Sequence, residues 1–481
     1  AKYKALMDGL ECSEILLSHA KREESRFDSE YYSKENLLLQ TIIDTAGNKT
    51  INEYGGVLDC SAFYPSITGY YSNDRSLIPF IRVNEIANGL ILITDNTVFL
   101  PANIIEDNNK TIAVAYPGDI IIAKGGNTLA KVGLVTDEFP MYATCRDVII
   151  LRTTSLQGLN RHYLWSFLHS SFGQRMLWRS ASQTGQPHLT LPAITKIKVP
   201  EYKKLQDKIE KLYTLSVRKK QESNSAYRDA ETILLTFLCI SEKAYKSTGI
   251  AVKSISESFR VTGRLDAEYY QPKYDEYASI IGHFNGGSSL IRTEFSQVKK
   301  ICDRKLSSYK YIEIGDVNVS SGFATANEVA IPDLPDNAKI MTKKDDIIIS
   351  TVRPNRGAVA VLEDDNLLVS GAFTVLREKG TYKKEVLQVL LRLPFYRDWL
   401  LRYNVGTSYP VIKDNDVLNM PIPLFDKETQ NDIAQKVKES TDMRNQSKQL
   451  LEYAKQAVEM AIEQGEDVAL KWLKDKVNLS V

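Results

Sequence analysis

The chain has 481 residues, 43% hydrophobic and 25% charged, a composition that suits roughly two to four soluble globular domains with sizeable cores. Its 61 basic residues face 60 acidic ones, for a net charge of +1. That balance neither requires nor excludes nucleic acid, because only charge close to the phosphates acts at physiological salt. The five cysteines, Cys12, Cys60, Cys145, Cys239 and Cys302, are scattered without a CxxC pair. This argues against a disulfide framework or a zinc ribbon and fits a reducing cytoplasm. No apolar run nears about 18 residues, so no membrane span is expected. The opening AKYKALMDGLECSE lacks the apolar core of a signal peptide.

Taken in order, the elements occur twice. Arg26–Tyr32 reads RFDSEYY, and Arg264–Tyr270 reads RLDAEYY. Pro117–Ile122 (PGDIII) returns as Lys344–Ile349 (KDDIII), and Ile149–Arg152 (IILR) as Thr374–Arg377 (TVLR). Thr184–Pro200 (TGQPHLTLPAITKIKVP) returns as Thr407–Pro423 (TSYPVIKDNDVLNMPIP). The order is the same in both copies, so a duplication is the economical reading. The runs DIIIAKGG, KVGLV and DVIILR are β-branched and closed by Gly or Pro, as strands are. RHYLWSFLHSSFGQRMLWRSAS has helical spacing, and its counterpart runs near Val386–Tyr403. Each copy therefore predicts an α+β module with a curved or barrel-like sheet.

A charged helical run follows each module. The first carries Leu205, Ile209, Leu212, Ala226, Ala230 and Ile233 at steps of 3 and 4, with Ser216 and Ser223 between. The second carries Ile433, Val437, Leu451, Ala454, Val458 and Ala461, with Ser440 and Ser447 between. These are heptad seams, polar or small in the middle, and their matching lengths predict that the two helices pack on each other. About 38 residues at 1.5 Å per residue would span roughly 55–60 Å. Pro200 and Pro423 force extended backbone before each helix, and Asp426 is a plausible N-cap for the second. The expected divisions are 1–199, 200–245 (helix), 246–423, 424–464 (helix) and 465–481 (tail).

Catalytic motifs are missing. There is no GxxxxGK[ST], no GxGxxG, no GxSxG, and no Asn- or Asp-Pro-Pro-aromatic tetrapeptide. Asp119 with Lys124 faintly resembles half of a nuclease metal site, but no second carboxylate lies near to share the cation, and Thr351 stands where Lys124 aligns. His19, His162, His169, His188 and His283 form no cluster at metal-ligand spacing, so no metal is expected. What remains are polar, aromatic and basic loops: AFYPSITGYYSNDR, KGGNTLAK, KKICDRKLSSYKY and TVRPNR. Lys and Arg meet phosphates, while Arg, Asn and Gln pair with base edges. From these loops the candidate DNA-binding residues are Tyr70, Tyr71, Arg75, Lys124, Asn127 and Lys131 in the first half, and Lys305, Lys310, Arg353, Asn355 and Arg356 in the second.

With these features the chain resembles the specificity subunit of a Type I restriction–modification system. The resemblance covers nearly the whole chain and rests on TGQP…KVP, GTSYP…PIP, the helix start IPLFDKETQNDIAQKV and the two RxDxEYY openings. It implies an α+β protein: two tandem α/β target-recognition domains joined by two long antiparallel coiled-coil helices, with pseudo-twofold symmetry. It further implies a non-catalytic, cytoplasmic DNA-reading subunit that recognises a bipartite site on double-stranded DNA. Its implied partners are two methyltransferase subunits and the restriction/translocase subunits, which would carry S-adenosylmethionine, ATP and Mg, with no cofactor in this chain. Half-sites one turn apart lie roughly 34–36 Å centre to centre, within reach of such a helix pair. Two other classes stay open. One is a coiled-coil protein-interaction adaptor of a phage-defence complex, marked by smooth acidic faces. The other is a DNA-modifying enzyme of unfamiliar type, marked by coupled carboxylates or a metal.

Overall fold

Ile120, Ile121 and Ile122 are all inaccessible to solvent, yet they face different cores. Ile120 and Ile122 pack among Leu164, Phe167 and Leu177, while Ile121 packs among Phe80, Ile91 and Tyr142. Ile347 and Ile349 likewise face one core, and Ile348 another. A strand covered on both faces loses the apolar/polar alternation, which is why DIII appears as a continuous apolar run.

The computed structural model describes residues 13–22, 26–46, 48–94, 96–182, 186–239, 250–406 and 408–477. Cys12, Thr184, Gly185, Thr407, 240–245 of the expected first helix segment and 478–481 of the expected tail lie outside the described residues. The chain forms two compact units, Ala1–Arg218 with Gln446–Val481, and Lys219–Asn445.

In the first unit a six-stranded sheet contains Val57–Asp59, Val148–Arg152, Ile120–Ala123 and Val132–Leu134 side by side. A second sheet orders Val98–Leu100, Ile78–Ile81, Tyr142–Thr144 and Val114–Ala115. The second unit repeats both series. One is Phe295–Gln297, Phe373–Glu378, Ile347–Ser350 and Val359–Val361, and the other is Asn327–Ala330, Ser308–Ile312, Leu368–Ser370 and Ala338–Met341. Each second sheet holds one parallel pair at the same place, Phe80 with Ala143 and Tyr311 with Leu368. The fold class is thus α+β with two sheet-bearing units.

The proline-ended strands close each module. Lys198–Pro200 pairs with Asn48–Thr50, and Pro421–Pro423 pairs with Ser288–Leu290. Long helices follow at Lys203–Leu238 and Lys427–Gln464. Asp426 caps the second, accepting from Thr429 N at 2.8 Å. At the start of the first, Leu205 N donates to Glu466 Oε1 at 3.0 Å, so the capping carboxylate comes from the far end of the chain. Glu466 opens a helix, Glu466–Lys476, within the stretch taken from sequence as a tail, and its Ala469 and Leu473 are buried in the first unit.

Within the first unit Leu205, Ile209 and Leu212 share a core with Leu450, Ala454, Val458 and Ala461. Ser216 Oγ donates to Ser447 O at 3.0 Å, and Ser447 Oγ returns a bond to Ser216 O at 2.8 Å. In the second unit Tyr227, Ala230 and Leu234 share a core with Ile433 and Val437, and Ser223 Oγ donates to Ser440 O at 2.6 Å. Rising numbers on one helix meet falling numbers on the other, so in each unit the two segments run antiparallel. Ala226 is buried; Ile233 and Leu451 are half-buried, with their neighbours Leu234 and Leu450 buried beside them.

The predicted single helix at Arg161–Ser182 is two, Arg161–His169 and Ser171–Ser180. Ser170 breaks it by capping the second piece, its Oγ accepting from Gly173 N at 3.2 Å. The counterpart breaks at Leu393, between Lys384–Arg392 and Pro394–Leu400, where proline cannot continue the ladder.

Candidate nucleic-acid interface

Each DIII strand is pinned at its start by a buried aspartate. Asp119 accepts from Tyr116 N at 3.0 Å and from Arg152 Nη1 at 3.1 Å. Asp346 accepts from Lys343 N at 2.8 Å and from Arg377 Nε at 2.7 Å. Arg152 and Arg377 are the arginines of the repeated IILR and TVLR, so two of the repeated phrases are the halves of one ion pair. This gives Asp119 a structural role, apart from the nuclease half-site it resembles in sequence.

At the other end the strand delivers a loop. In the first unit Lys124 N donates to Asp147 O at 2.9 Å and Lys124 O accepts from Leu189 N at 2.8 Å. The loop turns through Gly126–Thr128, leaving Asn127 and Lys131 exposed and Lys124 half-buried. A Cβ on Gly125 would stand 2.3 Å from His188 Nδ1, so any larger residue there must push the His188 ring aside. In the second unit Thr351 N donates to Ala372 O at 2.9 Å, and Arg353 N to Pro410 O at 2.7 Å. Arg353 adopts the left-handed conformation at φ 51°, uncommon for a residue other than glycine, and its guanidinium lies 5.6 Å from the Tyr409 ring centre. Pro354 is buried, Asn355 is exposed and Arg356 is half-buried. The phrase ending in Pro200 or Pro423 thus begins by bracing the loop, through His188 against Gly125 and Val411 against Val352.

The remaining candidates lie on other loops. Tyr70 is 54% exposed. Tyr71 is half-buried, with its ring on Phe80 at 5.8 Å, and burial raises its phenol above the ordinary range. Arg75 pairs with Glu138 at 2.7 Å, Lys305 with Asp303 at 3.2 Å and Lys310 with Asp364 at 4.0 Å. Such exposed pairs hold their partners weakly, and a phosphate can replace the carboxylate.

The RxDxEYY openings are structural staples. Arg26 grips Asp28 through Nε at 2.9 Å and Nη2 at 2.7 Å, and Nη2 also donates to Ala181 O at 2.8 Å. Arg264 does the same with Asp266 and Asn404 O. Tyr31 lies between Arg26 and Arg179, 4.3 and 4.1 Å from its ring centre, and Tyr269 between Arg264 and Arg402, each at 4.7 Å. Arg179 lies in the last turn of Ser171–Ser180 and Arg402 just after Pro394–Leu400, a matched placement near the end of each broken helix that is their one signal in the sequence. Burial pushes the Cys145 thiol up to about 11, out of the reactive range. Among the described residues no three His, Cys, Asp or Glu side chains converge as metal ligands do, and no helix is long and apolar enough to cross a membrane.

No protein-family model matches the chain. Over 157 residues it is 30% identical to the Type I restriction enzyme HindI specificity subunit of Haemophilus influenzae. The chain is similar to Type I specificity subunits. That alignment takes in 31% of this chain and 34% of the curated relative, so it spans about a third of that protein's length. Among solved structures, the Type I restriction–modification S subunit from M. genitalium aligns over 87% of this chain and 95% of its own, at 12% identity and a TM-score of 0.37. The HsdS subunit from Thermoanaerobacter tengcongensis aligns over 87% and 93%, at 12% identity and a TM-score of 0.25. The type IIG restriction endonuclease BpuSI aligns over 39% and 29%, at 11% identity and a TM-score of 0.28.

Proposed function

We propose that this chain is the DNA-reading specificity subunit of a Type I restriction–modification complex. Each unit reads one half of a bipartite duplex site, and the paired helices carry the two units. The supporting observation is a single one: the same strand, pinned by the same ion pair, ends in both units in a braced polar loop whose residues differ. A shared scaffold with unlike loops suits two unlike half-sites. In this reading the chain has no catalytic group or cofactor of its own and recruits two methyltransferase subunits and the restriction/translocase subunits. Those partners bring S-adenosylmethionine, ATP and Mg.

The TVRPNR loop carries the test. Its proline and its bond to Pro410 O hold it in one conformation, so little ordering entropy is lost on contact. The methylated motifs of the native complex are expected to be bipartite with two different halves. Arg353→Ala or Arg356→Ala is expected to cost about 1–3 kcal/mol and relax one base position in one half if the arginine reads guanine. If it meets a phosphate, the change weakens all sequences alike and lowers the salt slope by about one unit. Unchanged affinity, base preference and salt slope in both variants would remove the loop from the DNA face.

A further inference from the structure

Beside the Lys124 loop, the AFYPSITGYYSNDR stretch walls a cleft of about 570 Å³. Phe63 is its most exposed aromatic wall, with 77% of its surface in solvent. Arg146 sits over that ring at 5.9 Å and covers only a small part of it. Tyr64 and Tyr71 form the floor, both rings packed on Phe80, at 6.3 and 5.8 Å. Asn84 and Asp147 are exposed at the rim. Asp147 is also the residue whose carbonyl holds Lys124 N, so cleft and loop adjoin.

The wall is held firmly. Ser61, at its root, is buried and bonds Thr144 O at 2.6 Å and Ala113 N at 2.9 Å. Ile67, beyond it, is buried in the core. A large apolar ring held out in water from a loop anchored at both ends gains little for the fold, and it offers a stacking face. The second unit has no arginine at the matching place. Gly371 stands before Ala372 where Arg146 stands before Asp147, since Thr351 N bonds Ala372 O as Lys124 N bonds Asp147 O. Features that the two scaffolds share serve the fold, whereas Arg146 has no counterpart in the second unit.

We propose that the cleft takes a single nucleobase turned out of the duplex stack, stacked on Phe63, with Arg146, Asn84 and Asp147 meeting its polar edge. This rests on the DNA-reading function above and assigns a base-specific contact to the first unit. Arg146 and Asn84 donate to acceptor edges and Asp147 accepts from an amino group, so the rim can discriminate among bases as well as hold one. An aromatic face alone accepts every base.

The experiment uses the native complex and a duplex carrying its methylated motif, with single-base variants across both halves. Phe63→Ala and Arg146→Ala are expected to weaken binding about ten- to a hundredfold and to relax one position in one half-site, leaving the other half unchanged. Phe63→Trp keeps a stacking face and is expected to keep the affinity. Melting temperatures matching the wild type tie the losses to the cleft; if Phe63→Ala unfolds, the exposed Arg146→Ala decides alone. Unchanged affinity and preference in the alanine variants, with Arg353→Ala still altering the other half-site, overturns the cleft and leaves DNA reading standing. A wild-type complex with no methylation motif and no base preference overturns both.

Discussion

His162 stacks on Tyr213 with ring centres 4.2 Å apart, and its Nδ1 is 3.9 Å from Glu210 Oε1. Burial first, and then the neighbouring charge of Arg161, pushes its imidazole down from 6.5 to about 4. An unfolded imidazole takes its proton near 6.5, whereas this one stays neutral in the fold to about 4. The unfolded chain therefore binds the extra proton, and stability is lost as pH falls through that window. His162→Phe keeps a ring against Tyr213 and is expected to remove about 2 kcal/mol of the stability difference between about pH 7 and about pH 4.5, measured by urea unfolding. A pH slope equal to that of the wild type would show that His162 does not carry it. Sequence spacing placed His162 and His169 on one helix without revealing Tyr213, because stacking partners far apart in the chain leave no local period. The same holds for Tyr31 with Arg179, and for Phe63 with Arg146 across the first unit.

The long helices were the most legible elements, since a seam repeated over many turns leaves a strong period. What the period could not give was the local phase. Ile233 and Leu451 are half-buried while Leu234 and Leu450 are buried, because a helix of 3.6 residues per turn drifts from a strict heptad and each end also packs on its own module. Nor could it show the breaks at Ser170 and Leu393, where helical spacing runs on across a serine cap in one copy and before a proline in the other. The mid-seam serines were legible as small and polar, and the fold explains them: Ser216 and Ser447 exchange hydroxyl-to-carbonyl bonds, while Ser223 donates to Ser440 O and its hydroxyl lies 3.0 Å from that of Ser440. Each pair satisfies itself only in this register. Ser223→Ala is expected to cost about 1 kcal/mol, and Ser223→Leu about 1–3 kcal/mol by forcing the helices apart. Urea unfolding of the full chain checks both; a leucine variant as stable as wild type would mean that the seam has room there and that the serines do not set the spacing.

At the scale of the molecule, the compact units do not stop where the repeated phrases stop. The second runs from Lys219 to Asn445 and takes in part of each long helix, while the first needs both ends of the chain. The core of the second unit explains why. Tyr227, Ala230, Leu234, Ile433 and Val437 come from the helices and are buried in the same cluster as Tyr277, Leu387 and Trp399 of the module. Cutting at 246 and 423, where the sequence repeat suggests, would strip all five away. Burying each of the four large ones, all but Ala230, contributes about 1.5–3 kcal/mol, so the loss is comparable to the about 5–15 kcal/mol that holds a whole domain together. A fragment spanning 219–445 is therefore expected to melt cooperatively, with a sharp transition followed by near-ultraviolet circular dichroism. One spanning 246–423 is expected to show a broad transition and to bind a hydrophobic dye, with secondary structure largely kept. Equal sharpness in the two fragments would mean that the sheets and short helices suffice as a core and that the long helices are held by the module without stabilising it.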